Sequence, residues 1–318
     1  MKKSLVIGAT GGIGRSTVKA LSEDGVFVNV LARSKSKAEK YFKEINNVEI
    51  IEGDASSAED LSKAINGCET LYYCLNVPYD KWEKQVLKLL NVSLNAAADN
   101  KVKFIFSGNV YNYGHAQYNP VNEKHSHNAH TKKGKIRIQM EKLIKQFSSE
   151  KGLIYTIVRM PDFYGPFVIN GFSEKVFQNA LLGKSLFWIG DKNVAIEYIF
   201  IEDAGKAMAA AGESPKGNNK EFNVPAVEPT TNRFFLDEIS KQGAKNSKIT
   251  IMNSNIVFRL MGLFSPVVKE LFEMLYLKRE ELILDGSLFK ETFGFLPATT
   301  YEEGIKKTLS WTKNFYNL

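Results

Sequence analysis

Three glycines, Gly8, Gly11 and Gly14, stand at three-residue intervals directly after the apolar run Leu5-Val6-Ile7. This spacing suits the chemistry of holding a diphosphate. Gly8 allows a tight turn out of a strand, Gly11 lets the backbone come close to a pyrophosphate, and Gly14 lets the next helix pack closely on the strand. The phosphates would then sit on free N–H groups at the positive end of a helix that opens with Val18 and Leu21. A glycine trio can also be a plain loop. Here a strand precedes it and a helix follows it, which favours nucleotide binding.

Other residues carry chemistry of the same kind. Arg33 follows the second apolar run, Val28-Asn29-Val30-Leu31, where a dinucleotide protein meets the adenosine ribose. An acidic residue there would bind the free ribose hydroxyls of NAD, whereas an arginine can pair with the 2′-phosphate of NADP. Ser34, Lys35, Lys37 and Arg15 can join it; the alternative is a solvated loop cation. NADP is therefore the expected cofactor, with NAD as the other choice. Asp54 can accept a hydrogen bond from the adenine amino group or serve only as a carboxylate before a helix. All four histidines, His115, His125, His127 and His130, fall in one stretch. They can move a proton near neutral pH. With no cysteine or ordered carboxylate set nearby they read as a flexible loop, and no metal is expected.

The elements that must position these residues alternate through the first half. Strands are expected at 3–7, 26–32, 48–51, 69–74, 103–107 and 153–159, with helices at 12–23, 35–44, 57–65, 79–99 and 131–151. Such alternation predicts an α/β fold: a Rossmann-type, doubly wound parallel sheet with ligands beyond the carboxyl ends of its strands. Ile196 to Ile201 reads as one more strand of that sheet, followed by a helix at 202–213. Further helices are expected at 173–183, 230–243, 254–277 and 300–317. The chain thus divides into a dinucleotide-binding domain, 1–165 plus 196–225, and a smaller substrate-capping domain, 166–195 plus 226–318. The apolar stretch 256–277 contains charges and a proline, so it reads as a core or dimer-contact helix and admits a homodimer.

Bulk properties exclude several classes. The chain has 318 residues, 44% of them hydrophobic, so a full core is affordable in length. The net charge of +7 is spread over scattered lysines, with no arginine-rich run interleaved with aromatics, which argues against nucleic acid. No apolar run is long enough to span a bilayer, and the one after Met1-Lys2-Lys3 is too short for a signal peptide. The only two cysteines, Cys68 and Cys74, read as reduced thiols, so a cytoplasmic location is expected.

Taken together, these residues resemble the short-chain dehydrogenase/reductase superfamily, in its extended and atypical branches that include NAD-dependent epimerases and dehydratases. Gly8-Ala9-Thr10-Gly11-Gly12-Ile13-Gly14 is similar to the superfamily's glycine loop, and Gly53-Asp54 to its adenine-side motif. Leu71 to Asn76 occupies its fourth strand and the loop beside the cofactor. Phe104-Ile105-Phe106-Ser107 and Tyr113-Gly114 resemble its fifth strand and exit. Arg159, Pro161 and Tyr164-Gly165-Pro166 resemble the segment under the nicotinamide. Phe200 to Asp203, Phe293 to Pro297 and Trp311 are similar to its later motifs. The resemblance implies cofactor contacts from Gly8, Thr10, Gly11, Gly12, Ile13, Gly14, Arg33, Asp54, Leu75, Asn76, Ser107 and Pro161.

The catalytic residues depart from the pattern. Members use a Ser or Thr, a Tyr, and a Lys four residues after the Tyr. Alignment on the fifth strand and on Glu141 puts those positions at Asn109, Lys133 and Arg137, and no Tyr-x-x-x-Lys occurs between 107 and 150. Arg137 can bind ribose hydroxyls but does not release its proton. Lys133 can act as the acid if burial and neighbouring cations lower its pKa, or belong to a solvated first turn. Asn109 can bind a carbonyl or cap a loop, and Tyr111 is the substitute phenol. Asn76, Pro78, Tyr79, Asp162 and Tyr164 surround the same place. Two readings follow. One is an NAD(P)-dependent epimerase/dehydratase-like oxidoreductase acting on a small carbonyl, hydroxyl or nucleotide-sugar-like substrate with non-standard proton transfer. The other is an NADP-binding redox sensor or scaffold without turnover.

Overall fold

The computed structural model describes residues 2–169, 173–243, 247–254 and 272–318. In its first half β1 (Lys3–Ile7), β2 (Phe27–Ala32), β3 (Val48–Glu52), β4 (Thr70–Tyr73), β5 (Lys103–Asn109) and β6 (Tyr155–Met160) alternate with helices. These are α1 (Gly12–Glu23), α2 (Lys35–Phe42), α3 (Ala58–Ile65), α4 (Trp82–Asp99) and α5 (Lys132–Lys151). The expected elements are present with ends moved by up to three residues. β1, β2, β4, β5 and β6 carry apolar runs because they are covered on both faces, whereas the edge strand β3 exposes Glu49 and Glu52. Leu5, Ile7, Tyr73, Phe104 and Ile157 face one core with Leu61, Leu90 and Ile144. The alternate residues Val6, Tyr72, Ile105 and Val158 face a second core with Val18 and Met208.

The chain continues through β7 (Asp162–Tyr164), α6 (Ser173–Leu181), β8 (Leu186–Ile189), β9 (Ala195–Ile196), β10 (Tyr198–Phe200) and α7 (Ile201–Glu213). After these come β11 (Lys220–Asn223), β12 (Thr230–Thr231), α8 (Asn232–Gln242), β13 (Ile249–Met252), α9 (Ser287–Phe293) and α10 (Tyr301–Tyr316). The main sheet has seven parallel strands in the order β11-β6-β5-β4-β1-β2-β3. Its winding reverses between β1 and β4, and the crevice at such a reversal is where ligands bind in this architecture.

One expectation is corrected. The apolar run at 196–201 does not join the main sheet. Its strand β10 pairs in parallel with β7 in a separate two-stranded sheet. The seventh main strand is β11, whose Lys-Glu-Phe-Asn sequence buries Phe222 and Asn223 at a sheet edge and shows no apolar run. A short apolar run says that a strand is buried, not which sheet it joins. Tyr198 and Phe200 instead enter a third core with Tyr164, Phe177, Trp188, Phe235, Tyr301 and Ile305. The helix expected at 254–277 lies largely outside the described residues; Leu275–Lys278 forms a single 3₁₀ turn.

Candidate active site

The glycine loop sits at the reversal. Gly8 has φ +75°, and a Cβ on it would stand 2.6 Å from the Cys74 carbonyl carbon, so the exits of β1 and β4 touch through backbone alone. A Cβ on Gly14 would stand 2.3 Å from the Gly8 carbonyl oxygen, which is the close helix–strand approach the spacing predicted. α1 begins at Gly11 with no side-chain cap and no acid in its first turn. By contrast, α2, α3 and α5 are capped by Ser34, Ser57 and Thr131. A bare helix start, walled by backbone at Gly8, Gly11 and Gly14 and by the Phe167 carbonyl and Val168 side chain at Gly12, suits a pyrophosphate.

On the adenosine side, Arg33 is exposed beyond β2 and Ser34 caps α2 through the Lys37 amide. Asp54 accepts from the Ser56 amide at 2.8 Å, and this bond with the nearby Arg33 charge holds its carboxyl below the usual range. Arg15 does not join this group. Its guanidinium lies 3.8 Å over the Phe167 ring and donates Nε to the Tyr41 carbonyl at 3.1 Å, and burial lowers its pKa. Leu75 and Asn76 follow β4; Asn76 Oδ1 accepts from the Val77 amide.

The positions that the resemblance aligns with the family's catalytic residues lie on α5 and at the exit of β5. Thr131 Oγ1 accepts from the Gly134 amide at 3.0 Å and starts the helix, and Gly152, with φ +68°, ends it. Lys133, Arg137 and Glu141 recur every four residues and all three are buried, beside the apolar stripe Ile136, Met140 and Ile144. Of the two alternatives, the solvated basic turn describes Lys132 and Lys135, which are exposed, and not Lys133 and Arg137, which are buried. Lys133 is 2% exposed, and its Nζ lies 2.7 Å from Glu273 Oε1. Arg137 stacks over Trp82 at 4.9 Å and reaches the Ser107 carbonyl at 3.5 Å. Burial pulls its pKa below the ordinary guanidinium value, and its Nε has no hydrogen-bond partner among the described residues.

Two phenols share this cluster. Tyr79 and Tyr111 meet hydroxyl to hydroxyl at 2.9 Å, and Lys133 Nζ lies 5.1 Å from the Tyr79 ring centre. Burial raises both phenol pKa values, so these hydroxyls hold protons and are poor bases. Asn109 turns its Oδ1 back to the Tyr111 amide at 3.2 Å and caps the 3₁₀ turn Val110–Asn112, the loop-cap alternative. Pro161 is buried just past β6.

The histidine stretch differs from the flexible loop expected. His125 is 2% exposed, accepts from the Gln117 amide and donates to the Ser126 carbonyl. His127 accepts from Asn112 Nδ2 at 3.1 Å. Ordered carboxylates do stand near it: His127, Glu141 and Glu221 offer ligand atoms within 4.8 Å of one another. Arg159, fully buried, already binds both carboxylates, with 2.9 and 2.7 Å bonds to Glu141. A guanidinium between the two acids takes the place a cation would need, so this donor set does not fit a metal. Burial opposes charge on Arg159, but Glu141 outweighs it and raises its pKa well above the ordinary value. Tyr113 completes the network by donating to Asn223 Oδ1 at 2.7 Å.

Fold, reversal point and bare glycine-loop helix together define a Rossmann-type dinucleotide fold. Residues 4–224 match the NAD dependent epimerase/dehydratase family, and the chain belongs to it. It is 25% identical over 223 residues to a putative UDP-glucose 4-epimerase of Methanocaldococcus jannaschii, covering 68% of this chain and 64% of the relative. It is 23% identical to a UDP-N-acetyl-alpha-D-glucosaminuronate decarboxylase of Bacillus cytotoxicus, covering 99% of both chains. In fold it is similar to the UDP-glucuronic acid 4-epimerase of Bacillus cereus, solved with UDP-glucuronic acid and NAD. That likeness has a TM-score of 0.81 at 18% identity, covering 99% of this chain and all of the other. No described helix is long and apolar enough to cross a membrane.

Proposed function

We propose that the protein binds NAD(P) and acts on a small carbonyl or hydroxyl compound, nucleotide-sugar-like in class, with Lys133 moving the proton in place of a tyrosine. The observation that supports this most is the Lys133/Arg137 pair. It keeps the four-residue spacing of the family's Tyr and Lys, both side chains are buried, and Arg137 reaches the Ser107 carbonyl near the end of strand β5. The backbone walls at Gly8, Gly11 and Gly14, and an Arg137 Nε with no hydrogen-bond partner among the described residues, fit a dinucleotide. When bound, the nicotinamide ring gives or takes hydride. The residues do the rest. Gly8 to Gly14 hold the pyrophosphate, Arg137 holds ribose hydroxyls without releasing its proton, and Lys133 Nζ gives a proton to the substrate oxygen. Tyr79 and Tyr111 orient that oxygen through their hydroxyls, and Asn109 fixes the Tyr111 turn. Arg33, with Ser34, Lys35 and Lys37, selects NADP over NAD. Segments 166–195 and 226–318 cap the substrate side, and the third core packs Phe177, Trp188, Phe235, Tyr301 and Ile305 from them against Tyr164, Tyr198 and Phe200 of the dinucleotide-binding domain.

The test is calorimetric titration with NADPH and NADH, followed by cofactor consumption across aldehydes, ketones and nucleotide sugars. Tighter NADPH binding that reverses in Arg33→Glu supports the cofactor assignment; equal affinities retained in that variant reject it. Loss of turnover in Lys133→Met supports the proton donor, and unchanged turnover rejects it. The second reading, a dinucleotide sensor or scaffold, draws on the ion pair that occupies Lys133. Tight cofactor binding with no consumption across the whole panel would favour it. The reading includes a cytoplasmic location, and sizing chromatography tests a homodimer.

A further inference from the structure

Lys133 is 2% exposed, so a proton it gives away has no direct return from water, whereas Glu273 keeps 23% of its side-chain surface. The two are tied. Lys133 Nζ donates to Glu273 Oε1 at 2.7 Å, and the Lys132 amide donates to Glu273 Oε2 at 2.7 Å. With both oxygens engaged, the carboxylate has one orientation. Helix α5 opens on two lysines with no acid in its first turn, which is unfavourable at the positive end of a helix. A carboxylate from 140 residues further along the chain offsets that. Lys132 Nζ faces Glu83 instead, at 3.4 Å, and so does not compete for Glu273. The Tyr79 ring flanks Lys133 at 5.1 Å.

We infer that Glu273 is the positioning residue for Lys133 and its proton link to solvent, an inference that rests on Lys133 being the proton donor. In the reducing direction, an Nζ–H bond breaks as an O–H bond forms on the substrate oxygen. A reduced nicotinamide dinucleotide, when bound, would supply the hydride that the carbonyl carbon takes. Lys133 is left as a neutral amine. Glu273 takes a proton from hydronium or a buffer acid in the solvent and passes it across the 2.7 Å contact to Nζ, which restores the ammonium and the carboxylate. The net change is one hydride and one solvent proton added to a carbonyl group.

The experiment begins on the protein without substrate. Lysines are acetylated with N-hydroxysuccinimidyl acetate and followed site by site by mass spectrometry. Lys133 labels at least tenfold more slowly than exposed Lys132 and Lys135. Glu273→Gln speeds Lys133 labelling by about tenfold, and Glu273→Asp restores most of the protection. In the turnover assay Glu273→Gln lowers kcat at least tenfold with KM within about twofold, and Glu273→Asp recovers part of kcat. If Glu273→Gln does not fold, Glu273→Ala takes its place at both readouts, and a labelling rate and kcat equal to the parent's in that variant overturn the inference. Lys133 labelling unchanged in a folded Glu273→Gln, with Lys133→Met inactive, overturns the role of Glu273 alone. Full turnover by Lys133→Met overturns the donor itself.

Discussion

Replacing Gly14 and Gly11 by alanine separates the folding task of the glycine loop from its binding task. A Cβ at Gly14 would stand 2.3 Å from the Gly8 carbonyl oxygen and 2.7 Å from Ala9 Cα. Both are backbone atoms of the β1 turn and cannot swing away, so α1 must lift off the sheet. Alanine gains about 0.5–1 kcal/mol over glycine within a helix. Overpacking against fixed neighbours costs about 1–3 kcal/mol, and rigid backbone on both sides puts this site at the upper end. The net expectation is a loss of about 2 kcal/mol. Against a total stability of about 5–15 kcal/mol the variant still folds. With a urea slope of about 2–3 kcal/mol/M its midpoint falls by about 1 M. At Gly11 the backbone is extended, φ −80° and ψ 162°, and a Cβ would meet only the Gly8 carbonyl oxygen at 3.4 Å. Gly11→Ala therefore changes stability by less than about 1 kcal/mol, the scale of an N-cap change. On the proposed reading its methyl group stands where a pyrophosphate would approach, and dinucleotide affinity is expected to fall at least tenfold, about 1.4 kcal/mol. Urea denaturation by circular dichroism and NADPH titration read the two effects. A Gly14→Ala midpoint equal to the parent's would refute the close-approach argument. Parental NADPH affinity in Gly11→Ala would refute the placement of the pyrophosphate.

Three other outcomes are expected. Arg159→Met leaves Glu141 and Glu221 half-partnered in the interior and destabilises by about 3–5 kcal/mol in urea; a loss under about 1 kcal/mol would show that the network relaxes without its cation. Glu197 is buried, bonded to the Leu284 and Ala226 amides, and pushed up to about 8 by burial. The folded state therefore keeps a proton that the unfolded chain releases near its ordinary pKa of about 4.3. Stability falls as pH rises from about 4.5 to about 8 by an amount on the order of 3–5 kcal/mol, then levels off. Glu197→Gln removes that slope, and equal slopes in parent and variant would contradict it. Burial pushes the Cys68 thiol up to about 11 and the Cys74 thiol up to about 12. Both are then inert toward a disulfide reagent at pH 8 until urea is added, and fast labelling of the native protein would count against their burial.

Much of this molecule follows from local pattern. Alternating apolar runs and amphipathic helices are set by residues next to one another in the chain, so the first five helices and six strands of the Rossmann sheet were legible within a few residues. The glycine loop was legible for the same reason, since Gly8, Gly11 and Gly14 meet atoms of their own turn and of the neighbouring strand exit. The four-residue rhythm of Lys133, Arg137 and Glu141 was also present in the sequence, but rhythm alone did not say whether these cations face water or the interior.

Contacts across long separations decided the rest. Whether the 196–201 run joins the main sheet depended on β7, which leaves that sheet just after Pro161 and takes β10 as its partner. The main sheet closed instead with β11, a strand with almost no apolar signal. The His127 neighbourhood became ordered because Arg159 gathers acids from α5 and β11, 18 and 62 residues away. Lys133 pairs with the carboxylate of Glu273, 140 residues further along the chain. Hydrophobic period is a property of one element and can be read along it, whereas a buried charge is set by whichever distant group the folded chain brings within hydrogen-bonding distance.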